Sequence, residues 1–350
     1  MIFQEEITKW YHNNKRALPW RDTTDPYVIW LSEIILQQTR VEQGMPYFNK
    51  FLEHFPTVHD FANAPETLIL KLWQGLGYYS RGRNMHATAQ QVLQIHSGIF
   101  PSKYSDLIQL KGVGEYTAAA ISSFSSGEQQ AVLDGNVFRV LSRFYGIATP
   151  INSTAGKKEF TSLARSLVIG QNPALYNQAI MEFGALQCKP KSPDCASCPL
   201  QIACFAYTHH QVQDLPVKLK TLKKRNRFFN YFVCVADEAL LINRRGAGDI
   251  WQHLHDLPMI ETISETELSD VEFLTQVQEM FGKEVIIRPI QNVKHLLTHQ
   301  TIYAKFFVLE NFMINFNHKA TIKWVSLDEF NELPQPIMIS NFISNYITKV

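Results

Sequence analysis

From Met1 to about Tyr207 apolar residues recur at helical spacing, and the pattern breaks at Pro56, Pro65, Gly98, Pro101, Gly112 and Gly146. Such a run, cut repeatedly by Pro and Gly, predicts a set of short helices. The stretch Asp214 to Arg227, DLPVKLKTLKKRNR, is basic, holds a proline and has no clean period, so it reads as a linker. Beyond it, FFNYFVCVA, ALLINRR, EVIIRPI, TIYAKFFVL and TIKWVSL carry the β-branched and aromatic content of strands, and Val271 to Phe281 the spacing of a helix. The expected fold is multidomain: an all-α domain over residues 1–210, a basic linker over 211–227 and an α+β domain over 228–350.

Two carboxylates stand out from this pattern. In TDPYVIWLSEIILQQTRV, Asp25 is placed to cap a helix and Pro26 to occupy its first position. The turns that follow are apolar on nearly every face, so the helix is buried and Glu33 lies inside it. Desolvation raises a carboxyl pKa, which would make Glu33 a proton donor near neutral pH; a Glu paired to a neighbour for stability is the equal alternative. Asp134, in QQAVLDGNVFRVLSRFYG, directly precedes a second helical pattern. There it is either an ordinary N-cap or a carboxylate held ionised by the helix dipole.

Between them lies LIQLKGVGEYTAAAISSF, read as a helix ending at Lys111, a tight turn Gly112-Val113-Gly114 and a helix opening at Glu115, the whole spanning 107–125. Two glycines around one apolar residue allow a hairpin whose backbone N–H groups can hold a phosphate oxygen. Taken alone this is also a commonplace αα-corner.

Charge and cysteine content refine the picture. The formal net charge of +1 argues mildly against nucleic-acid binding, but it hides an asymmetry. Residues 1–210 hold 18 Lys and Arg against 16 Asp and Glu, 211–227 hold 6 against 1, and the remainder 9 against 15. Four of the 5 cysteines, Cys188, Cys195, Cys198 and Cys204, fall in one loop with the spacing C-x6-C-x2-C-x5-C. A local metal site fits this better than a disulfide framework, and the residues alone leave zinc and iron–sulfur both open. Cys234, in a predicted strand, reads as core. The N-terminus shows neither a secretory signal nor an anchor, so the expected location is cytoplasmic, with no membrane association.

The hairpin followed by an aspartate in VLDGNVFRV, with the cysteine loop, resembles the helix-hairpin-helix signature of the endonuclease III superfamily of DNA glycosylases. LPWR, WLSEIILQQTRV, GLGYYSRGRN, LKGVGEYTA, DGNVFRV and NQAIMEFGALQC are similar to the MutY family within it. That resemblance implies removal of adenine mispaired with 8-oxoguanine or guanine in double-stranded DNA, by a monomer carrying one 4Fe-4S cluster on Cys188, Cys195, Cys198 and Cys204 and no nucleotide cofactor. It implies that Glu33 is the general acid, that Asp134 stabilises an oxocarbenium-like sugar, and that Asn136 and Tyr116 share their site. Trp20, Arg21 and Gln178 would line the adenine pocket.

By the same resemblance, Gln37, Gln38, Thr39, Arg40, Gly75, Leu76, Gly77, Tyr78, Tyr79, Arg81 and the Gly112-Val113-Gly114 hairpin would contact DNA, with core packing the alternative for the two tyrosines; Lys189 and Lys191 beside the cysteine loop suggest that it also faces DNA phosphate. Tyr116 occupies the position where endonuclease III has a lysine nucleophile, which implies a monofunctional enzyme. The alternatives are a bifunctional glycosylase-lyase for oxidised pyrimidines and a non-enzymatic iron–sulfur DNA-binding protein. The C-terminal domain is similar to the Nudix-like domain of the family. It departs from it in having no RExxEE metal box between Leu254 and Val285, and in showing the Phe-Ser-His recognition turn as Leu297-Thr298-His299. Thr298 and His299, with Gln38 and Tyr78, are the candidates for reading the lesion.

Overall fold

The computed structural model describes residues 2–219, 224–314 and 321–347. Residues 220–223 of the expected linker, and 315–320 and 348–350 of the expected C-terminal domain, lie outside the described residues. The chain divides into two compact units, one of residues 1–63 with 84–221 and the other of 64–83 with 222–350.

The first unit is helical. Helix Ile2–Asn14 packs on Pro173–Leu186, which also meets Gly135–Tyr145 and Glu115–Ser126, and Pro26–Ile35 packs on Glu115–Ser126. Phe3, Ile7, Val137, Val140, Phe160, Ile180 and Phe183 form its core. Residues 211–219 of the expected linker are pinned to this unit: the Ile151 N–H donates to the Val217 carbonyl at 3.0 Å, and the Leu219 N–H to the Asn152 amide oxygen at 2.8 Å.

The hairpin motif departs from its predicted shape. Its first helix, Tyr104–Leu107, stops before Lys111. Gln91 accepts the Lys111 N–H at 3.0 Å and donates to the Gln109 carbonyl at 3.1 Å, while Thr88 donates to the Lys111 carbonyl. These side chains satisfy the backbone that a longer helix would have paired. Gly112 is required, because its φ is +77° and a Cβ would come within 2.8 Å of the Asn84 side chain.

The second unit carries two sheets. In the larger, the order is β5 (Met259–Thr262), β1 (Arg225–Val233), β7 (Gln300–Glu310) and β6 (Ile286–Leu296), with β1 and β7 parallel. In the smaller, β3 (Ala239–Arg244) pairs with β2 (Val235–Ala236), β4 (His255–Asp256) and β8 (Ile322–Ser326). Helix Val271–Phe281 has the predicted bounds and buries Phe273, Val277 and Phe281 against Phe232, Leu241, Phe307 and Leu309. Cys234 is buried in that core, as expected.

Residues 64–83 group with these sheets through specific polar contacts. Glu66 pairs with His253 at 2.6 Å, Arg83 donates to the Gln252 carbonyl at 3.0 Å, and the Gln335 N–H donates to Gln74 at 3.1 Å. Nothing in the local apolar pattern distinguishes this segment from its helical neighbours. Among the described residues no helix is long and apolar enough to cross a membrane.

Candidate active site

Helix Pro26–Ile35 starts where its sequence says: Asp25 accepts the Tyr27 N–H at 2.8 Å, and Pro26 takes the first position. Tyr27, Ile29, Trp30, Leu31, Ile34 and Ile35 are all buried, which leaves Glu33 with apolar neighbours along its own helix. The second carboxylate is fixed by the next cap. Asp134 opens helix Gly135–Tyr145 and accepts three hydrogen bonds, from the N–H groups of Asn136 at 2.9 Å and Val137 at 2.8 Å and from the Asn136 amide at 2.7 Å. Tyr116 lies in the first turn of Glu115–Ser126, and Gln178 on Pro173–Leu186.

These residues meet. One cavity of about 420 Å³ is lined by Glu33, Asp134, Asn136, Tyr116, Trp20, Arg21, Gln178, Thr39 and Arg40, with further residues that the sequence did not single out. Its size lies in the range of small-ligand sites, roughly 300–1,000 Å³.

The electrostatics separate the two carboxyls. Burial pushes the Glu33 carboxyl up to about 7, the negative charge of Asp134 adds to the rise, and the Tyr116 hydroxyl and Arg21 pull against it. Glu33 keeps some exposed surface because it lines the cavity, yet desolvation still dominates. The Tyr116 hydroxyl is driven well above its ordinary value, first by burial and then by the charges of Glu33 and Asp134, so it keeps its proton beside Glu33, with the Met181 sulfur as its acceptor at 4.0 Å. Asp134 corrects an expectation. Its helix-end hydrogen bonds and Arg139 do lower its pKa, but burial outweighs them and the net shift is upward. The helix terminus therefore does not hold it below the usual carboxylate range. What distinguishes the pair is the donor set, three hydrogen bonds converging on Asp134 against only the nearby Tyr116 hydroxyl at Glu33. A shared proton belongs on Glu33.

Two further residues lining this cavity escaped the sequence reading. Glu182, 1% exposed, receives paired hydrogen bonds from Arg16 at 2.9 and 2.7 Å and from Arg21 at 3.0 and 2.7 Å. Burial opposes ionisation there, but these bonds prevail and hold its carboxyl down at about 2. Arg139 donates to the Asn136 amide oxygen at 2.8 Å, to the Cys188 carbonyl at 2.7 Å and to the Gly184 carbonyl at 2.5 Å. It ties the Asp134 cap to the start of the cysteine loop. The available signal was an arginine within the apolar helix VFRVLSRF, where an unpaired charge would be costly.

Cys188, Cys195, Cys198 and Cys204 are all half-buried, and Cys195 and Cys198 each feel the charges of Cys188 and Cys204. Burial pushes the free Cys198 thiol up to about 12. Arg143, itself buried, donates to the Cys188 sulfur at 3.4 Å and to the Lys189, Pro190 and Leu215 carbonyls. The donor set, four thiols in one short loop beside a fixed cation, suits a group held by thiolates. Among the described residues no three His, Cys, Asp or Glu side chains are grouped to hold a single metal ion.

Of the predicted DNA contacts in the helical unit, Gln37 donates to Thr117 at 3.4 Å and Gln38 is exposed at φ +57°. Val113 is buried and anchors the hairpin, while Gly112 and Gly114 are exposed. In the other unit Gly75, Gly77 and Tyr78 all have positive φ, and Tyr78 is 43% exposed. Leu76 and Tyr79 depart from the expected contact role. Both are buried, and the Tyr79 hydroxyl is spent on the Gln335 carbonyl at 3.1 Å. Arg81 lies over the Trp73 and Tyr78 rings and donates to the Leu76 and Gly77 carbonyls, so it stiffens the loop from within. Thr298 and His299 are exposed in the turn between β6 and β7, and the Tyr78 hydroxyl donates to the Thr298 hydroxyl.

Residues 31–165 match the HhH-GPD superfamily of base excision DNA repair proteins, and 230–345 match the NUDIX domain. The chain is 32% identical over 355 residues to the adenine DNA glycosylase of Buchnera aphidicola subsp. Baizongia pistaciae, covering 100% of this chain and 97% of that protein. The chain belongs to the adenine DNA glycosylase family. The adenine DNA glycosylase of Homo sapiens is 39% identical over 213 residues, covering 58% of this chain and 39% of that protein. Among solved structures, a thermostable thymine-DNA glycosylase aligns at TM-score 0.56 and 30% identity over 59% of this chain and 96% of that one. A trapped endonuclease III–DNA covalent intermediate aligns at TM-score 0.52 and 21% identity over 59% of this chain and 94% of that one, and shares the fold of the helical part.

Proposed function

We propose that this family member excises adenine opposite 8-oxoguanine or guanine in duplex DNA, as a monofunctional hydrolase. The observation that carries the reading is the cavity with two unlike carboxyls, Glu33 pushed up to about 7 and Asp134 surrounded by donors. Adenine leaves a sugar readily only when a ring nitrogen is protonated. Glu33 gives its proton to the base, the glycosidic electron pair departs with neutral adenine, and the cationic sugar faces the Asp134 carboxylate until water adds. Asn136 and Arg139 keep Asp134 in place. A base inside the duplex cannot reach such a cavity, so the substrate nucleotide is flipped out of the stack.

Tyr116 supports hydrolysis over strand cleavage. Its phenol lies beside Glu33 and offers no amine for a Schiff base. Cys188, Cys195, Cys198 and Cys204 would hold a 4Fe-4S cluster, whose chemistry there is to cross-link the loop that Arg139 and Arg143 fasten to helix Gly135–Tyr145. In the C-terminal unit, the bond between Tyr78 and Thr298 supports reading of 8-oxoguanine at that turn, since a hydroxyl both donates and accepts toward a base with an added oxygen and N–H. The test incubates the protein with duplexes holding adenine opposite 8-oxoguanine, guanine or thymine and measures strand breaks before and after alkali. Breaks only after alkali, strongest opposite 8-oxoguanine, are expected. Breaks without alkali would favour the lyase reading.

A further inference from the structure

The base pocket contains an amide whose orientation is fixed from outside. Gln178 lines the cavity, and its Oε1 accepts a hydrogen bond of 2.7 Å from the Tyr11 hydroxyl. Tyr11 is 2% exposed on helix Ile2–Asn14. The Arg21 guanidinium sits over its ring at 5.6 Å, and Arg21 is held in turn by Glu182.

An amide can present either its oxygen or its NH2 to a ligand, and the two choices read opposite patterns. The partner decides which one is available. Burial raises the Tyr11 pKa, so the hydroxyl keeps its proton, and a buried O–H needs an acceptor. Among the described residues Gln178 Oε1 is the acceptor it has. Turning the amide over would set its NH2 against that hydroxyl and leave the Tyr11 proton unpaired. The Gln178 Nε2, which has no hydrogen-bond partner among the described residues, is the donor left for the cavity.

We propose that Tyr11 is a positioning residue that locks the Gln178 amide in the orientation selecting a 6-aminopurine over a 6-oxopurine. This rests on the adenine reading above. A 6-aminopurine shows a ring-nitrogen acceptor beside an amino donor on both its Watson–Crick and its Hoogsteen edge. The locked amide answers with an N–H donor and the second lone pair of Oε1. A 6-oxopurine sets a carbonyl against that oxygen. On its Watson–Crick edge it also shows an N–H, a pattern that a freely turning glutamine would satisfy by flipping. The lock removes that option, so discrimination comes from a group that never touches the base.

The experiment measures single-turnover excision of adenine and of hypoxanthine opposite the same base, for wild type, Tyr11→Phe, Gln178→Ala and the double variant. Tyr11→Phe keeps the ring and its packing while removing the donor. The adenine-to-hypoxanthine ratio is expected to fall about tenfold in Tyr11→Phe, the scale of one hydrogen bond. In the Gln178→Ala background the same substitution is expected to leave the ratio unchanged, because no amide remains to be turned. An unchanged ratio in Tyr11→Phe would overturn the proposal. So would an equal fall with and without Gln178, which would mean Tyr11 acts through the general fold. If the wild type removed no adenine from any duplex, the functional reading would fail and the adenine-selecting lock would fall with it.

Discussion

Glu33→Gln should make this protein more stable while stopping its chemistry, and the size of the gain should depend on pH. The Glu33 carboxyl moves from 4.5 in the unfolded chain to about 7 when folded, mainly through burial. Between those values the folded state binds more protons than the unfolded one, so stability falls as pH rises through the window and levels off above about 7. The rise from 4.5 to about 7 corresponds to about 3 kcal/mol. Glutamine has nearly the same shape, keeps an oxygen for the Tyr116 hydroxyl and never ionises. The variant and the wild type should therefore match near pH 4.5 and separate to about 3 kcal/mol by pH 8, with the variant the more stable. Urea unfolding of both proteins across that range gives the gap. The same proton supplies the reaction, so wild-type single-turnover excision should decline above about pH 7 along the curve on which the stability gap opens. A gap independent of pH, or an excision rate flat across that window, would show that Glu33 is neither desolvated nor the acid.

Asp134→Asn removes a charge that raises the Glu33 pKa, so the midpoint of the stability gap should move to lower pH and excision should be lost; an unmoved midpoint would mean the carboxyls do not interact. The purified protein should be brown and contain iron, and metal analysis showing one zinc and no iron would overturn the assignment of the four clustered cysteines. Thr298→Ala with His299→Ala should reduce the preference for adenine opposite 8-oxoguanine over adenine opposite guanine by roughly tenfold or more, with intrinsic excision retained. An unchanged ratio would place lesion reading elsewhere.

Where the determinant of structure is local, the sequence is a good guide. Asp25 and Pro26 start their helix, Asp134 caps the next, and Val271–Phe281 is a helix with the bounds its apolar spacing predicts. Each is decided within one or two turns, by a side chain that meets the backbone beside it. Where the determinant is distant, the reading fails. Gln91 and Thr88 end the first hairpin helix early from another helix. Two-residue β4 exists only because β3 lies beside it, and residues 64–83 group with the C-terminal sheets through partners such as His253 and Gln335. Tyr79 shows the same limit within a motif. Beside the exposed Tyr78 it looks equivalent, yet it is buried and bound to a carbonyl over 250 residues away in the chain.

Glu33 and Glu182 carry this contrast to the chemistry itself. Both sit within apolar helical stretches, IWLSEIIL and NQAIMEFGAL, and local pattern alone assigns them the same fate. Folding sends one to about 7 and the other to about 2. Burial raises both carboxyls; Glu182 is pulled back down by two guanidinium forks from Arg16 and Arg21, whereas Glu33 has only a nearby tyrosine hydroxyl and a neighbouring negative charge. Arg21 links the two fates. Committed bidentately to Glu182, it stands in the same cavity wall but has its strongest hydrogen bonds already used, so it does not neutralise Glu33. Glu182→Gln would return that charge to the cavity. A freed Arg21 would favour the ionised form of Glu33, and the excision profile should then shift to lower pH. An unmoved profile would mean that the Arg21–Glu182 pair has no part in setting the Glu33 proton.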